Sequence, residues 1–501
     1  QPVNTYVAND QTLPMIGALQ GGNLGQYVVV WQSYFQDSDS WGVFGQRYDV
    51  NSSAIGPEFQ VNTTTPGAQA GANMVGVGGL STGGFVVTWE SPDGYNDGIF
   101  AQRYDAAGQP VGAQFQVSPT VTYDQIQPRV LGLNGGAFVI AYTDNINADG
   151  NSYGVRLQHY DVAGVAVGGP FTVNSTVVDN QSFPEMSKLA DGGYVVTWHS
   201  NNQDGDSWGV YARLMNADGT PRSAEFAVNT YTQNAQWYAD VSVLSSGEFV
   251  VSWLSNNPDL GGQSIMAQRF TALGVKVGGE VLVSDGSSQP NSDTYTHITA
   301  LDTGGYVVTW SAPTINNHEV YAQQFSAADD KVDAPLRLNA NTSSVQYRPD
   351  VAGLPGGRFV AAWQSYAQDG DQYGIFQNLF GTAGSLIRSA APVITDLASS
   401  ITVLENATNL PAGVLIDNAV SVSDSDSNDF NGGRLTVSVI SGYNSLGTDL
   451  AQNTPLQDQF SVRNQGASLG QVGFDTGTGA VSYGGVPIGA LVAGFNGQNG
   501  A

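Results

Sequence analysis

The 501-residue chain contains no cysteine. That excludes disulfides and thiolate metal sites, so a fold of this size must be held by its core, by ring closure or by bound ions. Positive charge is scarce too. Lys plus Arg number 16 against 43 Asp plus Glu, a net charge of −27, which repels phosphate backbones and argues against a nucleic-acid partner. Charged residues reach only 12%, about half the usual share. No run of 18 or more apolar residues occurs, so no helical membrane span is expected. The opening "QPVNTYVAND" lacks a basic stretch followed by an apolar one, which implies a removed signal or an export signal outside this chain.

Glycine is abundant, with 63 copies, and the chain is repetitive. An apolar run ending in an aromatic recurs as "YVVVW", "FVVTW", "FVIAY", "YVVTW", "FVVSW", "YVVTW" and "FVAAW". The terminal aromatics Trp31, Trp89, Tyr142, Trp198, Trp253, Trp310 and Trp363 lie 58, 53, 56, 55, 57 and 53 residues apart. Each unit reads as four short strands separated by turn chemistry, the second nearly continuously apolar, as in a strand buried on both faces. Repetition of such units is the signature of a β-propeller, and seven units predict seven blades over residues 1–392. The opening "PVNTY" matches the outer-strand pattern of "EFQVNT", "PFTVNS" and "EFAVNT" with no preceding blade to own it. Val3, Asn4 and Thr5 are therefore expected to close the last blade, with "SAAPVIT" at 389–395 as the competing segment. From residue 393 the repeat stops, and 393–501 reads as an immunoglobulin- or cadherin-like β-sandwich. The predicted fold class is all-β.

Three loops after the second strand carry paired aspartates: Asp37 and Asp39 in "QDSDSWG", Asp204 and Asp206 in "QDGDSWG", Asp369 and Asp371 in "QDGDQYG". Carboxylates at i and i+2 suit a hard cation such as calcium; Asp and Gly equally make a plain turn. A catalytic pair is not expected there, because an element repeated around a scaffold is architecture. The same logic assigns the recurring Gln11, Gln69, Gln125, Gln181, Gln236 and Gln346 to contacts between blades, and Arg47, Arg103, Arg213 and Arg269 to packing or ion pairs. Departures from the repeat are few: Trp237 and Tyr238, Arg348, His297, and His318 with Glu319. Tyr34, Trp237, Tyr238 and Tyr366 are candidate ligand-stacking aromatics. Asp350, Glu185, Asp240 and Lys188 are the non-repeating ionisable residues near the inner strands. No HExxH or P-loop motif occurs.

The units "GGFVVTW", "DGDSWGVYA" and "EFQVNT" resemble repeats of very large secreted bacterial proteins of the RTX, or hemolysin-type calcium-binding, class. The segments "ITVLEN", "VSDSDSNDFNGGRLTVS" and "GFDTGTGAVSYGGVPIG" are similar to the cadherin-like modules of such proteins. The defining nonapeptide GGxGxDxUx is missing here. The resemblance implies type I secretion, a place on a bacterial cell surface, calcium as the bound ion, and Glu405, Asp424, Asp426 and Asp429 as its ligands. The resulting expectation is a non-enzymatic, calcium-stabilised structural or adhesive protein with a surface polysaccharide or protein as partner, and possible self-assembly. A lectin-like propeller is the first alternative; a carbohydrate-active or esterase-type propeller enzyme working in the central channel is the second.

Overall fold

The protein is described here from a computed structural model. It describes residues 1–63, 74–94, 96–119, 123–145, 153–285, 288–291, 294–314, 317–381 and 386–387, and five short strands beyond them. The chain divides into two compact units, Gln1–Ile387 and Arg388–Ala501.

The first unit is a seven-bladed β-propeller. Seven four-stranded antiparallel sheets follow one another in chain order. In the fifth, for example, Gln236–Val243 pairs with Phe249–Asn257, then Gly262–Phe270, then Lys276–Leu282. The first strand of each sheet lies innermost and packs on the first strand of the next; that of the seventh, Gln346–Leu354, packs on that of the first, Gln11–Ala18. The ring is therefore closed.

The apolar second strand is explained by what it faces. Tyr27, Val29 and Trp31 pack toward blade seven, against Val360 and Ala362. Val28 and Val30 point the other way, into a cluster with Val87 and Trp89 of blade two. A strand that serves two interfaces has no solvent face, and all five residues are fully buried. Seven such clusters, one between each pair of neighbouring blades, make up the core. Fully burying side chains of this size stabilises the fold by about 1.5–3 kcal/mol each.

Ring closure uses the N-terminus in the way the repeat predicts. Val3 N–H donates to the Ile375 carbonyl at 2.7 Å, and Asn4 Oδ1 accepts from Ile375 N–H at 2.7 Å. Val61 with Asn62, Val173 with Asn174 and Val228 with Asn229 make the same two bonds to the third strands of their own blades. The outer strand of blade seven is nevertheless a composite. Pro2 bridges to Phe376, while Leu386–Ile387 pairs with Leu379 and Phe380. Both ends of the unit thus share one strand, which ties the ring and removes a sheet edge.

In the second unit, Val393–Thr395 pairs with Ser421–Ser423, and Val472–Phe474, Ala480–Tyr483 and Val486–Ala490 form a three-stranded sheet. Glu405, Asp424, Asp426 and Asp429 lie outside the described residues.

Candidate active site at the channel mouth

The inner strands bring one column of the repeat together. In units three to seven the residue thirteen positions before the terminal aromatic is Arg129, Glu185, Asp240, His297 and Asp350. Each is paired across the sheet with the residue preceding its aromatic, at Ala141, Thr197, Ser252, Thr309 and Ala362. Their blades are consecutive, so the five side chains form an arc at one level of the central channel. The same level carries Gly76 in blade two and Met15 in blade one, opposite Thr88 and Val30.

The members of the arc touch. Arg129 Nε donates to Glu185 Oε1 across the interface of blades three and four. His297 Nδ1 stands 3.5 Å from Asp240 Oδ2 and 3.4 Å from Asp350 Oδ1, bridging blades five to seven. Both aspartates also accept backbone N–H groups: Asp240 from Val241 at 2.7 Å and Ile298 at 2.8 Å, Asp350 from Val351 at 2.7 Å and Ile16 at 2.6 Å. These bonds fix the carboxylates in position and staple each blade to the next.

Burial and mutual charge separate the titrations. Burial pushes the Glu185 carboxyl up to about 7, with Arg129 opposing the rise. Burial alone would lower His297, but Asp350, Asp240 and Glu185 outweigh it and raise the imidazole to about 9. Burial raises Asp350 as well, against the pull of His297 and two N–H groups. At neutral pH the arc therefore combines a carboxyl poised to hold or release a proton with a charged imidazolium between two aspartates.

Above the arc the inner strands carry a repeated β-bulge. Leu13, Gln127, Phe183, Tyr238 and Arg348 all have φ between +52° and +58°, and four of them precede a proline. Each bulge breaks the pairing register of its strand. A left-handed backbone at a bulky residue costs about 1–2 kcal/mol. The cost is offset partly because a side chain of the preceding blade takes the bulge N–H: Gln364 for Leu13, Glu90 for Gln127, Gln127 for Phe183, and His199 Nδ1 for Tyr238 at 3.3 Å. His199 is thereby accounted for as a cap, and burial lowers it to about 3, leaving it neutral. Leu13, Tyr238 and Arg348 reach the channel mouth, whereas Gln127 Oε1 accepts from Thr143 Oγ1 and the Phe183 N–H. Tyr238 and Tyr295 rings lie 4.1 Å apart with Phe183 5.3 Å from Tyr238, and the Arg348 guanidinium lies 5.0 Å from the Tyr295 ring. A depression of about 320 Å³, including its open mouth, is lined by Leu13, Met15, Arg129, Tyr295, His297 and Arg348 among others.

Three of the four non-repeating inner-strand candidates, Glu185, Asp240 and Asp350, meet in this arc. Lys188 does not; it lies three residues along its strand and its Nζ reaches Gln20 Oε1 at 3.4 Å. Tyr238 stands in the mouth. Trp237 is half-buried against the core between blades five and six, Tyr34 packs on Phe35 and Trp41, and Tyr366 is exposed at 46% beside Tyr373. His297 already stands out in the sequence as a departure from the repeat, whereas Arg129 is reached only by reading the seven units as one aligned column.

The paired-aspartate loops lie at the same end of the propeller but split their carboxylates. Asp37, Asp204 and Asp369 fold over Gly42, Gly209 and Gly374, where an added Cβ would come within 2.8, 2.4 and 2.1 Å of a carboxylate oxygen. Asp206 and Asp371 instead accept the N–H groups of Asn234 at 2.9 Å and Asn9 at 3.0 Å in the next blade. Asp39 accepts Ser40 N–H at 2.8 Å, and Asp37 takes Gln60 Nε2 at 3.0 Å. N–H donors directed at these oxygens oppose a cation, and among the described residues no three carboxylate or imidazole groups cluster as metal ligands. The donor set fits turns that lock adjacent blades. The recurring glutamines and arginines also bridge blades: Gln181 and Gln236 pair with Asn174 at 3.0 Å and Asn229 at 3.1 Å, and Arg103 and Arg269 hold the next blade's hairpin turn. Gln69 lies outside the described residues.

The fold and this arc define a seven-bladed propeller with an ionisable channel. No family model matches the chain, and no curated protein matches it by sequence. Among solved structures it is similar to an ulvan lyase (10% identity, TM-score 0.45, covering 78% of this chain and 98% of that one). It is also similar to an α-L-arabinanase of Penicillium chrysogenum (14%, 0.43, 77% and 97%) and to a sialidase of Streptococcus pneumoniae (9%, 0.43, 76% and 69%). The expectation of a non-enzymatic adhesive protein is corrected here. What corrects it is the channel itself: the non-repeating ionisable residues, scattered in sequence, converge there.

Proposed function

We propose that the propeller is a carbohydrate-active enzyme that breaks a glycosidic bond of an extracellular polysaccharide at the channel mouth. The observation that carries this reading is the arc Arg129–Glu185–Asp240–His297–Asp350 beneath the aromatic mouth. Cleavage of a glycosidic bond needs a proton donor for the departing oxygen and an anion or base opposite it. Glu185, raised by burial to about 7 so that a good part of it holds its proton near neutral pH, is the proton donor. Asp240, oriented by the Ile298 and Val241 amides, supplies the opposing carboxylate. His297 and Asp350 position it. Tyr238 and Tyr295 offer ring faces on which a sugar stacks. Secretion, an extracellular location and calcium in the second unit belong to the same proposal; the excess of acidic residues suits the cation.

The test is release of new reducing ends, or of an unsaturated product detected by ultraviolet absorbance, from a panel of neutral and acidic polysaccharides. Glu185→Gln and Asp240→Asn are expected to lower turnover by about 10²-fold or more. A polysaccharide that binds but is never cleaved would instead establish the lectin-like alternative. Turnover undiminished in Glu185→Gln would remove this site from the reaction.

A further inference from the structure

The mouth differs in charge from the rest of the molecule. The chain as a whole carries −27 from 16 basic and 43 acidic residues, yet Arg348, Arg129 and His297 line one depression together. Arg129 is engaged by its hydrogen bond to Glu185, and His297 stands between the two aspartates. Arg348 is different. It forms no ion pair among the described residues, and its contact is the face of Tyr295 at 5.0 Å. The backbone is strained to place it: Arg348 has φ of +52° and precedes Pro349, in the bulge that elsewhere in the ring presents Leu13, Phe183 or Tyr238. A guanidinium laid on an aromatic face keeps its outer N–H groups free for a planar, bidentate anion. Tyr295 and Tyr238, 4.1 Å apart, supply the apolar surface a sugar ring needs beside that anion.

Resting on the proposed function, we infer that the substrate is an acidic polysaccharide, and that Arg348 binds the carboxylate or sulfate of the sugar held over the arc. An anion beside Arg348 converts the local charge from a cost into a gain. A neutral glycan would leave the guanidinium desolvated without a partner. Arg348 is thus a specificity-determining residue, three blades from Glu185 and separate from the proton-transfer groups.

Binding is measured by affinity electrophoresis and calorimetry on the full chain carrying Glu185→Gln, so that nothing is cleaved. Three probes are compared: polygalacturonate as a polyuronate, a sulfated galactan, and a neutral galactan. One of the two acidic polymers is expected to bind, which identifies carboxylate or sulfate as the ligand. Adding Arg348→Gln should weaken that binding by about 10-fold or more. Arg222→Gln, which removes a cation paired with Asp191, should leave it unchanged, and thermal melts of all variants check folding. Preference for the neutral galactan, or equal affinity with and without Arg348, overturns the inference while leaving the proposed enzyme intact. Arg348-dependent binding of a polymer that the wild-type chain does not cleave sustains the inference as a binding specificity and sinks the enzyme instead.

Discussion

The imidazole of His297 offers the most direct check on the channel electrostatics. Its side chain retains only 12% exposure between Asp240 and Asp350, and these neighbours raise it from 6.5 to about 9. At about 1.4 kcal/mol per pH unit, the shift corresponds to about 3 kcal/mol of stabilisation. A raised pKa means that the folded state holds the proton more tightly. The stabilisation is therefore fully present below pH 6.5 and is lost as pH rises through 9. Urea unfolding of the wild type and of His297→Gln at intervals from pH 6 to pH 10 should show a stability gap that narrows by about 3 kcal/mol across that range. The chain has four histidines, so proton NMR of the imidazoles gives an independent reading. Burial lowers His159 and His199, and a histidine still charged at pH 8 should vanish in His297→Gln. A gap that does not change with pH, or a His297 titrating at or below 6.5, would refute the charged bridge and with it the account of how Asp240 is positioned.

Three further outcomes follow from the same contacts. On any substrate that is cleaved, kcat/KM should fall as pH rises past about 7 while Glu185 loses its proton; a rate still climbing at pH 8 would exclude it as the donor. Asn4→Ala strips Ile375 N–H and Gln11 of their partner and should cost about 1–3 kcal/mol in thermal or urea unfolding; an unchanged midpoint would deny the N-terminal closure. Asp206→Ala removes the acceptor of Asn234 N–H and should lower the melting temperature by an amount that excess chelator does not alter. A chelator effect on the wild type that disappears in this variant would show a cation in that loop.

Much of the architecture was legible because its causes are local and repeated. The run from Tyr27 to Trp31 is apolar at every position since both its faces meet a neighbouring blade, and seven copies give seven interfaces. Asn4 betrayed the closure by matching Asn62 and Asn174 in an outer-strand pattern. The sharing of that strand with Leu386–Ile387 had no local signal, because two residues make too short a pattern. The functional conclusion failed for a related reason. The Asp-x-Asp loops are the conspicuous acidic repeats of the sequence, yet their carboxylates diverge toward a glycine and the following blade. The non-repeating column mixes Arg, Glu, Asp and His, so no single residue type marks it along the chain.

The sequence by itself determined the blade, its count and the position of the core, since strand period, turn chemistry and the aromatic terminus act within some 55 residues. Only the tertiary structure decided that Arg129, Glu185, Asp240, His297 and Asp350 are neighbours. They are separated by a whole blade each along the chain, and their proximity comes from closing the ring and converging seven inner strands on one axis. Their chemistry follows from that convergence, because a carboxyl at about 7 and an imidazole at about 9 are products of shared burial and mutual charge.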